Sequence, residues 1–216
     1  MTPDTVSNTP QADSLPVKTF PYPVAIALIL LTLGAVYAAG TAIGKVYFWK
    51  DVDVIHMKQQ LAYYQQMVSE KPDDPQERVN LGFAHFQLGQ IKEAIENYEV
   101  ALEINPSFYP AYLNLGYARY EQKEYDLALD AFNQAAKLNP NDYRVHLNLG
   151  IVFTDLQMFE QAQESFEKAT LINRNAADVY YYEGRLAETM GDIDTAVGAY
   201  EEALKYDPTF ELPQAA

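Results

Sequence analysis

The chain has 216 residues, and its 30 acidic side chains outnumber its 15 basic ones to give a formal charge of −15. Such an acidic molecule excludes nucleic acid as a natural partner, because phosphates need a basic face. It has no cysteine, which rules out disulfides, thiolate nucleophiles and cysteine-based metal sites.

Residues 1–20 are rich in Thr, Ser, Pro, Asn and Asp, a composition that cannot bury enough apolar surface to fold, so a disordered tail is expected. Residues 24–44 contain no charge, and as a helix they would be about 30 Å long, the thickness of a bilayer core. Tyr22 on one side and Tyr47, Phe48 and Trp49 on the other suit the two interfaces. The expectation is a single transmembrane helix over 21–49, with the lipid bilayer as a partner through 24–44. A cleaved leader ending at the small residues 38–40 competes with it, against the length of the apolar run and a lead-in that is not net positive. Gly34, Ala38, Gly40 and Gly44 place small residues along this helix, a spacing that lets two membrane helices approach and predicts self-association. Lys45, Lys50 and Lys58 follow the span, against Lys18 and the terminal amine before it, so charge leans the remainder toward the cytoplasm. The margin is narrow, and an outward-facing domain stays open.

Residues 50–74 read as an amphipathic connector, with Val54, Met57, Leu61, Tyr64 and Val68 on one helical face. Residues 75–210 then fall into four lines of 34 without an insertion, at 75–108, 109–142, 143–176 and 177–210, with a short tail over 211–216. The columns read Leu81, Leu115, Leu149, Glu183; Gly82, Gly116, Gly150, Gly184; Ala94, Ala128, Ala162, Ala196; Tyr98, Phe132, Phe166, Tyr200; and Ala101, Ala135, Ala169, Ala203. Pro106, Pro140 and Pro208 close three lines, and Arg174 the other. Each line holds two amphipathic helical runs separated by a break, and no pair buries its apolar face alone, so neighbours must stack. Asp74 and Asp142 suit helix N-caps, and Gly89 and Gly191 fall in the break where a left-handed residue is needed. One period before Tyr98 and Pro106 stand Tyr64 and Pro72, so the connector supplies a half-repeat that caps the first pair. At the other end Glu183 replaces Leu and Gly198 sits inside a helix, so the last helix face is expected to be exposed, frayed or covered by a partner.

Leu115-Gly116 with Ala128, Phe132, Ala135 and Pro140 resembles the tetratricopeptide repeat (TPR) family closely, and the resemblance covers 136 of 216 residues. The fold class expected is therefore all-α: a TPR helical-hairpin solenoid of four repeats plus an N-terminal half-repeat, following the single transmembrane helix. The resemblance implies that the first helix of each pair lines a concave groove. The columns it assigns there are Val79, Asn80, Phe83 and Phe86; Leu113, Asn114, Tyr117 and Tyr120; Leu147, Asn148, Ile151 and Thr154; and Tyr181, Arg185 and Glu188. Such a groove would be apolar and aromatic with a short polar ladder, fit for a peptide or helix with apolar side chains, although part of the same stripe could equally be core or be covered by the connector. Some family members grip chaperone carboxylates through cations; the matching positions here, Val79, Phe83, Asn114, Arg144 and Asn148, lack that set.

His56, His85 and His146 are too far apart for a local metal pair, and no phosphate loop, HExxH or Gly-x-Ser-x-Gly is present. Neither a cofactor nor an enzymatic activity is expected. The reading is a membrane-tethered protein-interaction module acting as scaffold or assembly factor. Its resemblance to membrane-anchored TPR proteins implies roles such as c-type cytochrome maturation or help to the export translocon. A self-oligomerising scaffold at the membrane is the alternative.

Overall fold

The computed structural model describes residues 49–209, with side chains from 54 onward. Among the described residues lie nine helices and no strand. The chain divides after Val52, and the unit that follows is a stack of helix pairs. Helix α1 is Trp49–Glu70. The pairs are α2 (Pro75–Gln87) with α3 (Ile91–Ile104), α4 (Tyr109–Glu121) with α5 (Tyr125–Leu138), α6 (Tyr143–Asp155) with α7 (Phe159–Ile172), and α8 (Ala177–Met190) with α9 (Ile193–Tyr206).

Helices α2 and α6 each start on a capping carboxylate. Asp74 accepts a hydrogen bond from the Gln76 amide at 2.9 Å, and Asp142 from the Arg144 amide at 3.0 Å, satisfying amides that a helix N-terminus leaves free. Within each pair the first helix ends in a left-handed residue: Gly89 (φ 73°), Lys123 (φ 61°), Gln157 (φ 58°) and Gly191 (φ 81°). Only two of these are glycines, so two turns hold a side chain in a conformation that L-residues disfavour.

The repeating columns form the core. Ala94, Ala101, Ala128, Ala135, Ala162, Ala169 and Ala203 are fully buried. The aromatic column lies on the glycine of its own pair: a Cβ on Gly116 would come within 2.5 Å of the Phe132 ring, and Gly82, Gly150 and Gly184 sit equally close under Tyr98, Phe166 and Tyr200. The absent side chain is thus what lets the second helix lie on the first. Each second helix then packs on the next first helix, as α3 does on α4, α5 on α6 and α7 on α8. First helices also touch one another, α2 with α4 and α6 with α8, whereas no comparable contact joins two second helices. The array therefore bends toward its first helices, which line the inner side.

Helix α1 stands off from α2. Val68 is buried and Leu61, Tyr64 and Met67 are half-buried, but Val54, Ile55 and Tyr63 are exposed. In the repeat register Met67 occupies the column of Ala101, whose small side chain lets α3 lie against Ala111 and Ala118. The last turns of α1 cover the first pair, where Lys71 meets Glu77 at 3.6 Å, and residues from His56 to Tyr64 line an open cleft with Gln87 at the other end of α2. The proposed span 24–44, with Gly34, Ala38, Gly40 and Gly44, lies outside the described residues. Among those described, no helix is long and apolar enough to cross a membrane.

Candidate functional site

The inner face of the array is the candidate interaction surface, and burial divides the predicted groove residues into two sets. Val79, Leu113, Leu147 and Tyr181 are core rather than groove lining, each at most 9% exposed. Their column points back at the second helix: Val79 packs with Ala94 and Tyr98, Leu113 with Ala128 and Phe132, and Leu147 with Ala162 and Phe166. Tyr181 lies 5.8 Å from the Tyr200 ring. The next columns reach the surface. Phe83 is 45% exposed, Phe86, Tyr117, Tyr120 and Ile151 are half-buried, and Arg185 and Glu188 are open to solvent.

The polar groups between them form a ladder from repeat to repeat. Tyr109 donates its hydroxyl to Asp142 at 2.6 Å, Tyr120 to Asp155 at 2.7 Å and Tyr143 to Asp178 at 3.3 Å. Asn148 Nδ2 donates to the Tyr117 hydroxyl at 2.8 Å and to the Arg144 carbonyl. Asn114 turns instead to its own helix and donates to the Pro110 carbonyl at 2.7 Å, while Asn80 accepts from Gln76 at 2.9 Å. Burial pushes the Tyr109, Tyr117 and Tyr120 hydroxyls up, and the carboxylates beside Tyr109 and Tyr120 push those two further. These phenols remain protonated donors at any physiological pH. The guanidinium of Arg144, bonded to Asp142 at 2.6 Å, holds that carboxyl down to about 2. Arg144 is therefore engaged by the residue that caps its own helix. The surface this leaves is aromatic and apolar at Phe83 and Phe86 and hydrogen-bonded within itself across the second and third pairs.

The acceptors of the ladder (Asp142, Asp155 and Asp178) and its donors Tyr109 and Tyr143 were not among the predicted groove residues. Tyr109 and Tyr143 share the first column of the 34-residue line, but each donor and its acceptor fall in different columns, so no single column betrays the pairing. The signal was a Tyr and an Asp lying 33 or 35 residues apart, one period give or take a residue. His85 and His146 are half-buried; His85 Nδ1 meets Gln90 Oε1 at 2.6 Å and His146 Nε2 meets the Pro140 carbonyl at 3.1 Å. Among the described residues no group of His, Asp and Glu is arranged to hold a metal. A cleft of about 360 Å³ opens between α7, α8 and α9, lined by Phe166, Leu186, Ala187 and Met190 with Glu183 beside them. Burial pushes the Glu183 carboxyl up, against a hydrogen bond from Thr170 Oγ1 at 3.1 Å.

Models of the tetratricopeptide repeat match residues 82–123, 116–157, 143–175 and 177–210. The chain belongs to the tetratricopeptide repeat family. Three of the solved structures to which this TPR protein is similar illustrate the likeness. MamA is 24% identical with a TM-score of 0.63, covering 74% of this chain and 93% of its own. A thermophilic TPR protein of Thermus thermophilus is 23% identical with a TM-score of 0.63, covering 74% and 88%. YrrB, described as a TPR protein with an unusual peptide-binding site, is 21% identical with a TM-score of 0.58, covering 73% and 81%. At these identities the likeness is one of fold. No curated protein matches the chain.

Proposed function

We propose that this TPR protein is a membrane-tethered interaction module whose inner face binds an apolar or aromatic peptide or helix, and that it acts as a scaffold or assembly factor. The observation that carries the reading is the Phe83–Phe86 end of the inner face, where an aromatic side chain stands 45% exposed on a rigid helix beside half-buried aromatics. An exposed aromatic on a preformed surface gains area on binding at little cost in rotamer entropy. The fold is one in which a neighbour, YrrB, is described as having an unusual peptide-binding site. Arg144 is tied to Asp142, which argues against recognition of a terminal carboxylate and for an apolar ligand. Tethering rests on the uncharged run 24–44.

The groove is tested by recovering partners from detergent-solubilised membranes with wild type and with Phe83→Ala plus Tyr117→Ala. The double variant is expected to retain its helical spectrum and lose at least tenfold in partner recovery; equal recovery by a folded variant sinks the groove. Tethering is tested by alkaline extraction of membranes, from which the chain is expected to stay in the pellet and a 24–44 deletion to be released. Self-association through Gly40 and Gly44 predicts that Gly40→Leu plus Gly44→Leu abolishes a cross-linked dimer.

A further inference from the structure

The last second helix repeats the outward face of the first one. On the 34-residue period Ile193, Val197, Tyr200, Glu201 and Leu204 of α9 stand where α3 has Ile91, Ile95, Tyr98, Glu99 and Leu102. Four of these five residues are identical, and the fifth differs by one methylene. The helices between them diverge: α5 has Asn133 and Ala136, and α7 has Gln163 and Thr170, in the same columns.

On α3 this face is covered by α4. Ile95 and Tyr98 are buried against Ala111 and Ala118, Leu115 packs beside them, and Arg119 meets Glu99 at 2.6 Å. On α9 the same face is open, with Ile193 59%, Val197 50% and Leu204 37% exposed and Glu201 in solvent. We propose that α9 is a second docking site, separate from the inner face, for an α-helix of a partner protein built like α4. That helix carries apolar side chains at i, i+4 and i+7, as Ala111, Leu115 and Ala118 do, and an Arg or Lys at i+8, as Arg119 does. Two observations select this occupant. The α9 face continues the series of second-helix to first-helix interfaces already formed along the array. Its charge asks for a cation: Asp194, Glu201 and Glu202 outnumber Lys205 on this helix, and Lys205 is already bonded to Glu202 at 2.8 Å.

The probe is a fluorescent, helix-constrained peptide with the sequence of Tyr109–Glu121, titrated with the full chain in detergent and read by anisotropy. Saturable binding is expected, weakened at least tenfold by Val197→Arg in the chain. Glu201→Arg is expected to weaken it as well, and a peptide with Arg119→Glu is expected to recover affinity for that variant alone. Val197 and Glu201 are exposed, so both variants should keep the wild-type circular dichroism. The proposal is overturned by absence of saturable binding, by binding that Val197→Arg leaves unchanged, or by failure of the charge-swapped pair to recover. A dimer of the chain that Val197→Arg dissociates, with no peptide binding, assigns the face to a second copy and equally overturns it. Loss of partner recovery in Phe83→Ala plus Tyr117→Ala tests the inner face alone, so the two readings fail separately.

Discussion

Gly116 and Gly198 are the same residue type inside helices of the same array, and they do opposite things. Gly116 lies under the Phe132 ring, where an added methyl has no room; Gly198 faces open space. Gly116→Ala is expected to destabilise by about 1–3 kcal/mol through overpacking, and Gly198→Ala to stabilise by up to about 1 kcal/mol by restricting the unfolded chain. Chemical denaturation of the two variants measures both signs. Glu183 is a second informative position, a carboxyl where three other repeats have Leu81, Leu115 and Leu149. Because burial raises its folded pKa, the native state favours the protonated form. Stability is then complete below the ordinary glutamate range of about 4.3 and falls as pH rises through the raised value. Glu183→Leu should remove that fall and add about 1–2 kcal/mol at neutral pH, seen as a growing gap in midpoint between the two proteins as pH is raised from about 4 to about 7.

At the scale of the element, the turn between paired helices sets each hairpin. Gln157 and Lys123 hold the left-handed position that Gly89 and Gly191 fill elsewhere. Gln157→Gly is expected to stabilise by up to about 1 kcal/mol because it removes the steric cost of a Cβ at positive φ, and thermal unfolding would show it as a rise in midpoint. This turn also shows how far the residues could be read in advance. The helix pairs and their period were legible because small and aromatic residues recur at one spacing, and the Gly89 and Gly191 turns because glycine announces them. Lys123 and Gln157 carried no such mark, since the neighbouring helices impose their conformation. The inner face was legible in part. Periodicity placed Val79, Phe83 and Phe86 on one stripe, but a stripe wide enough to pack on two helices has a buried edge and an open one. Only the position of the Tyr98 ring decides that Val79 belongs to the first and Phe83 to the second. The tyrosine ladder joins different columns, so a reading taken column by column passes over it.

For the whole molecule, stability is carried between neighbours along a line. Helices α4 to α7 have a packed neighbour on both sides, while α9 has one and α1 leaves most of its described residues exposed. In such an array local opening is easiest at the ends. Amide hydrogen exchange is expected to be fastest in α1 and α9 and slowest in α4–α7, with the α9 amides slowed selectively once its face is occupied. A uniform exchange profile would mean that the array opens only as a whole.

The likeness of α3 and α9 also bears on how the chain finds its fold. To a newly made α4, both helices offer the same ring, the same carboxylate and branched side chains that differ by one methylene, so α4 could pair with the wrong one. Distance along the chain decides between them. Four residues separate α3 from α4, whereas 71 separate α4 from α9, and the longer closure costs about 2–3 kcal/mol more in chain entropy. That margin favours the nearer partner while the intervening helices are unformed, and it is small enough to leave the swapped pairing as the characteristic folding trap of this sequence.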